Sequence, residues 1–521
     1  MSDIQKVDVD THEEEVEGIA PRGFKFADVF SRSDHAEFHN EAIARYGEDG
    51  AISPELEKRV RRKINRVILP CLGICYAFYY IDKTTLSYAA IFGINAPKEK
   101  DGLGLHGTQY AWLSSIFYWG WLAWSIPSNL IMQKTPVTSY LAFNIMLWGV
   151  FLMAQAGAHS FAALAVFRVL SGAFEAIADP AFMLITSMWY TTSEQPAAIS
   201  FWYTFNGVGV GIGGLIGYGI GQIKGSLPSW RYEFLIVGAV CSAWSIALLF
   251  LVPNNHASAW WLTREERLVA VARLRHNQTG IANRKFKMDQ FIECMLDPKT
   301  WCFFLIGFLG AVPNGGISNF STLVIKGLGF DTLHTTLLGL PQGAFVCVWI
   351  ISGAVLNHYL PPNSRTWVCM LYMLPTIGGS LGFLLAPKNA YVARLICFYL
   401  TGSYQTSFVI NLSIITSNTA GQTKKMLTNA LIWFGSCVGS IASPFFYKAS
   451  QAPTYPLGIA SMLATNILEL LCFVWLRWYL IRQNKKKDAA RAQAQSDVPH
   501  VNATTFSDLT DKQNPNFRYV Y

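Results

Sequence analysis

Charge is rare inside long apolar runs, and five charged residues in such runs stand out here. Three lie in the stretch Arg168-Val169-Leu170-Ser171-Gly172-Ala173-Phe174-Glu175-Ala176-Ile177-Ala178-Asp179-Pro180. Steps of seven and then four residues put Arg168, Glu175 and Asp179 along one stripe of a helix. Two carboxylates one turn apart in a low-dielectric site cannot easily both ionise. A carboxylate that takes up and gives off a proton is what proton coupling requires, and the arginine beside them would attract an anion. The competing reading is a structural clamp that ties this helix to a neighbour. The other two, Asp82 and Lys83, follow Tyr79, Tyr80 and Ile81 without a break. They read either as part of a binding or gating site or as an outer-end pair whose lysine snorkels to the interface.

Uncharged polar residues are scattered through the other apolar runs: Trp202 and Asn206, Asn314 and Asn319, Gln342, Tyr404 with Gln405 and Asn411, and Asn429. Any one of them alone suits a hydrogen bond between helices. Together they suit a polar cavity that recognises a small hydrogen-bonding solute.

What must position these residues follows from composition. Of 521 residues, 52% are hydrophobic and only 14% charged, against about 25% charged in an ordinary soluble domain. Mean hydropathy is +0.27 although both chain ends are polar. Soluble multidomain, collagen-like, disordered and disulfide-scaffold classes are excluded, and an integral membrane protein remains. The net charge of +8 is not gathered on a nucleic-acid-binding face. Its basic residues fall between apolar runs, as in Lys58-Arg59-Val60-Arg61-Arg62-Lys63 and Lys485-Lys486-Lys487, where they encode topology. The ten cysteines show no metal-ligand spacing and read as packing residues, so neither a metal nor another cofactor is expected.

A spanning helix needs about 20 apolar residues, and the sequence offers twelve candidates. Six lie at 66–92, 109–132, 137–158, 161–189, 197–221 and 232–252. Six more lie at 300–325, 334–357, 366–386, 391–418, 426–448 and 457–481. The expected class is an all-α membrane protein with twelve transmembrane helices in two six-helix bundles. Its parts would be a tail at 1–63, a bundle at 64–252, a connector at 253–299, a second bundle at 300–482 and a tail at 483–521. In the connector, Thr263-Arg264-Glu265-Glu266 fits a capping box. Leu268, Val271 and Leu274 then recur at helical spacing, as in an amphipathic helix lying on the membrane surface. Lys and Arg concentrate on the side of the termini and connector, which predicts that side to be cytoplasmic.

Two motifs are decoys. Asn206-Gly207-Val208-Gly209-Val210-Gly211-Ile212-Gly213-Gly214 contains GxGxxG, but it lies inside an apolar span and lacks the strand a dinucleotide site needs. Glycine-mediated helix packing explains it better. His35-Ala36-Glu37-Phe38-His39 has no third ligand and reads as a solvated helix face. The sequon Asn277-Gln278-Thr279 would be cytoplasmic and unglycosylated.

The order of residues resembles that of fungal allantoate permease-like carriers, in the anion:cation symporter branch of the major facilitator superfamily. The resemblance covers most of 64–482. It rests on Asp82-Lys83 with Leu86-Ser87-Tyr88-Ala89, on Phe167-Arg168 through Gly172, Glu175 and Pro180 to Trp189-Tyr190, and on Trp230-Arg231. Further marks are Trp261-Leu262-Thr263, Glu265-Glu266-Arg267 and Asp297-Pro298-Lys299-Thr300-Trp301. The resemblance implies a substrate-charge role for Arg168 and a proton-coupling role for Glu175; Asp179 is read as a second proton-coupling carboxylate from its place on the same stripe, not from the resemblance. Asp82, Lys83, Trp202, Asn206, Asn314, Gln342, Tyr404, Gln405 and Asn411 are the expected substrate contacts. It departs from the superfamily pattern at Gln133-Lys134-Thr135-Pro136, where an Asp-x-x-Gly-Arg signature is usual. Asp179 also stands where a small or apolar residue is usual. The implied function is proton-coupled import of a small polar organic anion or nutrient, such as a ureide or vitamin. The carrier would be monomeric, in the plasma membrane. An efflux carrier or a nutrient-sensing transceptor on the same fold is the alternative, and no enzyme site is seen.

Overall fold

The computed structural model describes residues 41–42, 45–46, 52–132, 134–191, 193–274, 287–361, 363–387, 389–452, 454–493, 509–515 and 517–521. His35, His39 and the sequon at Asn277 lie outside them. Among the described residues there is no strand.

The first bundle contains α1 (Pro54–Ile91), α2 (Gln109–Met132), α3 (Val137–Gln155), α4 (Phe161–Glu175), α5 (Ala178–Trp189), α6 (Gln195–Gly221) and α7 (Ser229–Leu251). Two short helices follow, α8 (Arg264–Ala272) and α9 (Met288–Leu296). The second bundle contains α10 (Pro298–Lys326), α11 (Thr332–Leu337), α12 (Gly339–Tyr359), α13 (Arg365–Leu385) and α14 (Tyr391–Leu400). It continues with α15 (Tyr404–Asn418), α16 (Gln422–Ala442) and α17 (Pro456–Gln493). Among the described residues, ten helices or helix pairs are long and apolar enough to cross a membrane. The aromatic-rich α2 and the pair α14–α15 complete the twelve. Large apolar side chains such as Trp119, Phe143, Val166, Val348 and Leu385 point outward, as hydrocarbon requires and water does not permit on this scale.

Two spans are broken at the same place in each half. Between α4 and α5 the helix opens at Ala176–Ile177 because Pro180 has no N–H and crowds the carbonyl four residues back. Asp179 therefore sits in the first turn of a new helix. Between α14 and α15 the break is a 3-10 turn at Thr401–Ser403, and Tyr404 and Gln405 follow it directly. Discontinuous helices in corresponding positions of two halves are a structural pointer to a binding site.

The two bundles pack together at the end away from the chain termini. Ser87 and Thr322 hydroxyls lie 2.7 Å apart, Tyr110 donates to the Asn319 carbonyl at 2.7 Å, and Lys326 donates to the Ile91 carbonyl at 3.4 Å. The glycine run of α6 does the rest. A Cβ on Gly207 would stand 2.5 Å from the Gly343 carbonyl oxygen, and one on Gly214 would stand 2.6 Å from that of Thr336. On another face, a Cβ on Gly209 would meet the Ala77 carbonyl of α1 at 2.5 Å. Gly214→Leu is accordingly expected to push α6 off α11–α12 and cost about 1–3 kcal/mol or more. Thermal unfolding of the purified carrier checks this, and an unchanged melting temperature would refute the packing account.

At the basic end the boundaries differ from those read off the sequence. α1 begins at Pro54, not near 64, and α17 runs to Gln493, past 482. The charged residues at both ends continue the helices beyond the apolar core, because they have protein partners there. Glu266 of α8 meets Arg59 at 3.1 Å and Lys63 at 2.6 Å, and Arg273 meets Glu194 at the N-cap of α6. The capping box at Thr263 and Glu266 is present. However, α8 is not a membrane-surface helix: Leu268, Val269 and Ala270 are buried, and Glu266 faces α1.

The chain's last residues also dock. Asp511 is fully buried between Lys299, at 2.7 Å, and Lys424, at 2.9 Å. Lys424 also pairs with Asp297 and Glu293, each at 2.8 Å. The Tyr519 hydroxyl donates to Asp511 at 2.8 Å, and Asn418 holds the Val520 backbone through both its amide atoms. Residues 509–515 and 517–521 thus form a strap over the basic ends of α10, α15, α16 and α17. Burial opposes ionisation of Asp511, but the two ammonium groups outweigh it and lower its pKa from 3.8 to about 2. A depressed carboxylate contributes stability above its unfolded value and loses it as pH falls through the folded one. Asp511→Asn should cost about 3–5 kcal/mol at neutral pH, because two buried ammonium groups lose a partner. The gap to wild type should close as pH falls from 3.8 towards about 2. Melting curves of both proteins across that window test it, and a pH-independent gap would contradict it.

Candidate functional site

A pocket lies between the bundles at the level of the two helix breaks. Tyr76, Tyr79, Tyr80 and Lys83 of α1 line it, with Tyr118 and Trp121 of α2, Asp179 of α5 and Tyr203 of α6. The second bundle contributes Gly310, Ala311 and Asn314 of α10, Tyr404, Gln405 and Phe408 of α15, and Trp433, Ser436, Cys437 and Ser440 of α16. The α1 residues recur at steps of three and four, so one helix face presents the tyrosines and the lysine together.

Lys83 is the cation of this wall. It does not snorkel: it is 8% exposed, and its ammonium sits 3.7 Å from the centre of the Tyr79 ring and 5.0 Å from that of Tyr80. The Tyr79 hydroxyl donates to Asp179 at 3.2 Å. Among the charged groups acting on Lys83, Glu175 is the strongest and Asp179 the next. Glu175 is buried behind the wall with its carboxyl against that of Asp82, and neither of its oxygens has a nitrogen or hydroxyl donor among the described residues.

Arg168 is elsewhere. Its guanidinium faces Asp82 at 4.0 Å, donates to the Leu113 carbonyl at 3.4 Å and lies over the Phe117 ring at 5.0 Å. The Trp148 indole donates to the other Asp82 oxygen at 2.8 Å. Neither Arg168 nor Asp82 reaches the pocket wall. They clamp α1 to α4, with α2 and α3 as partners.

Of the uncharged residues singled out by sequence, Asn314, Tyr404 and Gln405 line the pocket, and the Tyr404 hydroxyl donates to Asn314 at 3.2 Å. Asn206 crosses the bundle interface to donate to Gln405. Trp202 stacks edge-on against Tyr76 and Phe182, one layer behind the wall. Asn319 bends back onto the Gly315 carbonyl. Gln342 and Asn411 are buried away from the wall. Sequence reasoning missed the aromatic lining, for which the only signal was the tyrosine spacing before Asp82. It also passed over Glu469, an ionisable residue inside the last apolar span.

Two helical halves around a central pocket, an oily exterior and a pocket wall that combines one lysine, one aspartate and many aromatic rings define a membrane-embedded carrier for small solutes. Comparison with known proteins bears this out. The family model described as Major Facilitator Superfamily matches residues 72–444, and the chain belongs to that superfamily. An uncharacterised transporter of Schizosaccharomyces pombe is 36% identical over 89% of this chain and 86% of its own length. The allantoate permease of Saccharomyces cerevisiae is 31% identical over 92% of this chain and 89% of its own. The thiamine pathway transporter of the same yeast is 33% identical over 90% and 87%. Among solved structures, a bacterial homolog of the human lysosomal transporter Spinster, inward-facing and unoccupied, superposes with a TM-score of 0.58. The match covers 82% of this chain and 97% of that one at 16% identity, which shows a shared fold. The protein is a multi-pass secondary transporter of a small molecule, not an enzyme.

Proposed function

We propose that the protein imports a small polar organic anion together with a proton, with allantoate the first substrate to test. The observation that carries this reading is Lys83, a buried ammonium on the pocket wall with Asp179 nearby and the buried Glu175 behind it. A buried cation is tolerable only near compensating charge. An arriving substrate carboxylate competes with Glu175 and Asp179 for Lys83, and a proton taken up by Glu175 restores the balance. Anion and proton then move as one neutral load. Lys83 thereby takes the substrate-charge role that sequence resemblance gives to Arg168, and Arg168 positions α4 against α1. The tyrosine and tryptophan faces suit a compact planar solute, and Asn314 and Gln405 supply hydrogen bonds from the opposite bundle. Allantoate enters as the substrate in the name of a relative that spans nearly the whole chain.

With the basic end in the cytoplasm, the bundle contacts at the other end close the outside, and the pocket faces inward. The carrier works as a monomer in the plasma membrane. Uptake of radiolabelled allantoate by a permease-deficient yeast expressing the protein tests the reading. Accumulation that rises with external acidity and collapses with a protonophore is expected. Uptake that ignores both would refute coupling, and none for any ureide, vitamin or small carboxylate tried would refute the substrate class.

A further inference from the structure

A second carboxylate stands behind the opposite wall of the pocket. Glu469 of α17 is fully buried, and neither of its oxygens has a hydrogen-bond partner among the described residues. Asn466, one turn earlier on the same face, is also fully buried with both amide atoms unpaired. Four orphan polar atoms thus share one patch of a membrane helix. The patch abuts the pocket at Gly310, a wall residue: a Cβ there would lie 3.4 Å from each Glu469 oxygen. The missing side chain leaves the carboxyl one atom layer from the substrate space.

Among the described residues, none is shown to offer Glu469 a positive charge. The groups that act on it or respond to it are Cys472 on its own helix, Cys369 of α13 and Tyr404 of α15. On α10, Cys302 lies against the Cys472 carbonyl at 3.6 Å. The 3-10 turn Ser443–Phe446 that also packs on α17 has no titratable residue. Glu175, by contrast, has Lys83 and Arg168 within electrostatic reach. A bare carboxylate in this setting is far costlier than a protonated one. A metal cation is a poor alternative, since hard cations want six or more oxygens and the helix carbonyls are already spent on their own ladder.

We propose that Glu469 is a second proton-carrying group of the carrier, loaded in this conformation and reached from the pocket through the gap at Gly310. The step is the formation of one O–H bond on the carboxylate from a proton delivered through pocket water, and its reversal on release. Proton occupancy does not depend on which solute is carried. Its part in transport rests on the coupled-import reading above.

Infrared difference spectroscopy of the full-length protein in liposomes tests the proposal without a substrate. At neutral pH, wild type minus Glu469→Gln should show a protonated-carboxyl carbonyl band that persists in Glu175→Gln. Loss of carboxylate-stretch intensity instead would show Glu469 ionised and overturn the proposal, as would a band displaced by sodium. If Glu469→Gln fails to fold, the same band is read in Gly310→Ala, whose methyl fits at ordinary contact distance. Its exchange in heavy water should slow at least tenfold, and an unchanged rate overturns the route. In transport, Glu469→Gln should flatten the pH dependence of allantoate accumulation while counterflow persists, and an unchanged profile would rule out a coupling role. If wild type carries no allantoate, the import reading fails while the infrared result still decides Glu469.

Discussion

Glu175→Gln leaves a carrier that exchanges substrate across the membrane but no longer concentrates it. Glutamine keeps the shape of the side chain and cannot pick up a proton, so it resembles a carboxyl locked in its neutral form. The neutral form is the one that lets Lys83 take a substrate carboxylate, and binding should survive. What disappears is the link between the proton gradient and the cycle. Accumulation should fall from at least tenfold to unity, a loss of about 1.4 kcal/mol or more of concentrating power. Counterflow, which needs no proton movement, should persist at a substantial rate. Uptake against pH, with counterflow as the uncoupled control, is the measurement. Full concentrative uptake with an unchanged pH profile would mean that Glu175 is structural.

Lys83→Met should abolish recognition itself. Methionine keeps much of the stem and its contact with Tyr79 but removes the ammonium, the only basic group on the pocket wall among the described residues. A substrate carboxylate would then enter a site containing Asp179 with no opposing charge. Affinity should fall at least a hundredfold, about 2.7 kcal/mol. Arg168→Lys makes the contrast, since a cation remains against Asp82 and the pocket is untouched. Its binding constant should stay within a few-fold of wild type. If Arg168→Lys weakens binding as much as Lys83→Met does, the anion site lies nearer Arg168 than the pocket geometry says.

The difference between these two cations shows where sequence reading reached its limit. Both stand at membrane depth next to acidic residues, and spacing along one helix cannot say which neighbour each will face. The stripe from Arg168 to Asp179 assumed one unbroken helix, and Pro180 interrupts it. Across the α1–α4 contact, Arg168 falls level with Asp82 and Trp148, whereas Asp179 falls level with Tyr79.

The sequence by itself determined the membrane class, the two halves, the apolar parts of the spans and the glycine packing of α6, but not the polar extensions of α1 and α17. Each follows from local composition and period, and in lipid a helix satisfies its whole backbone within its own segment. The capping box at Thr263 was legible for the same reason, because its two partners are three residues apart. Tertiary structure alone decided that α8 packs on protein and not on lipid, that residues 509–515 and 517–521 strap the ends of the second bundle, and that Lys83 faces the pocket while Arg168 does not. Those outcomes depend on contacts between residues far apart in the chain. Asp511 and Lys299 are separated by 212 positions, and no periodicity carries information across such a distance. A buried charge takes its role from the partner that folding places beside it.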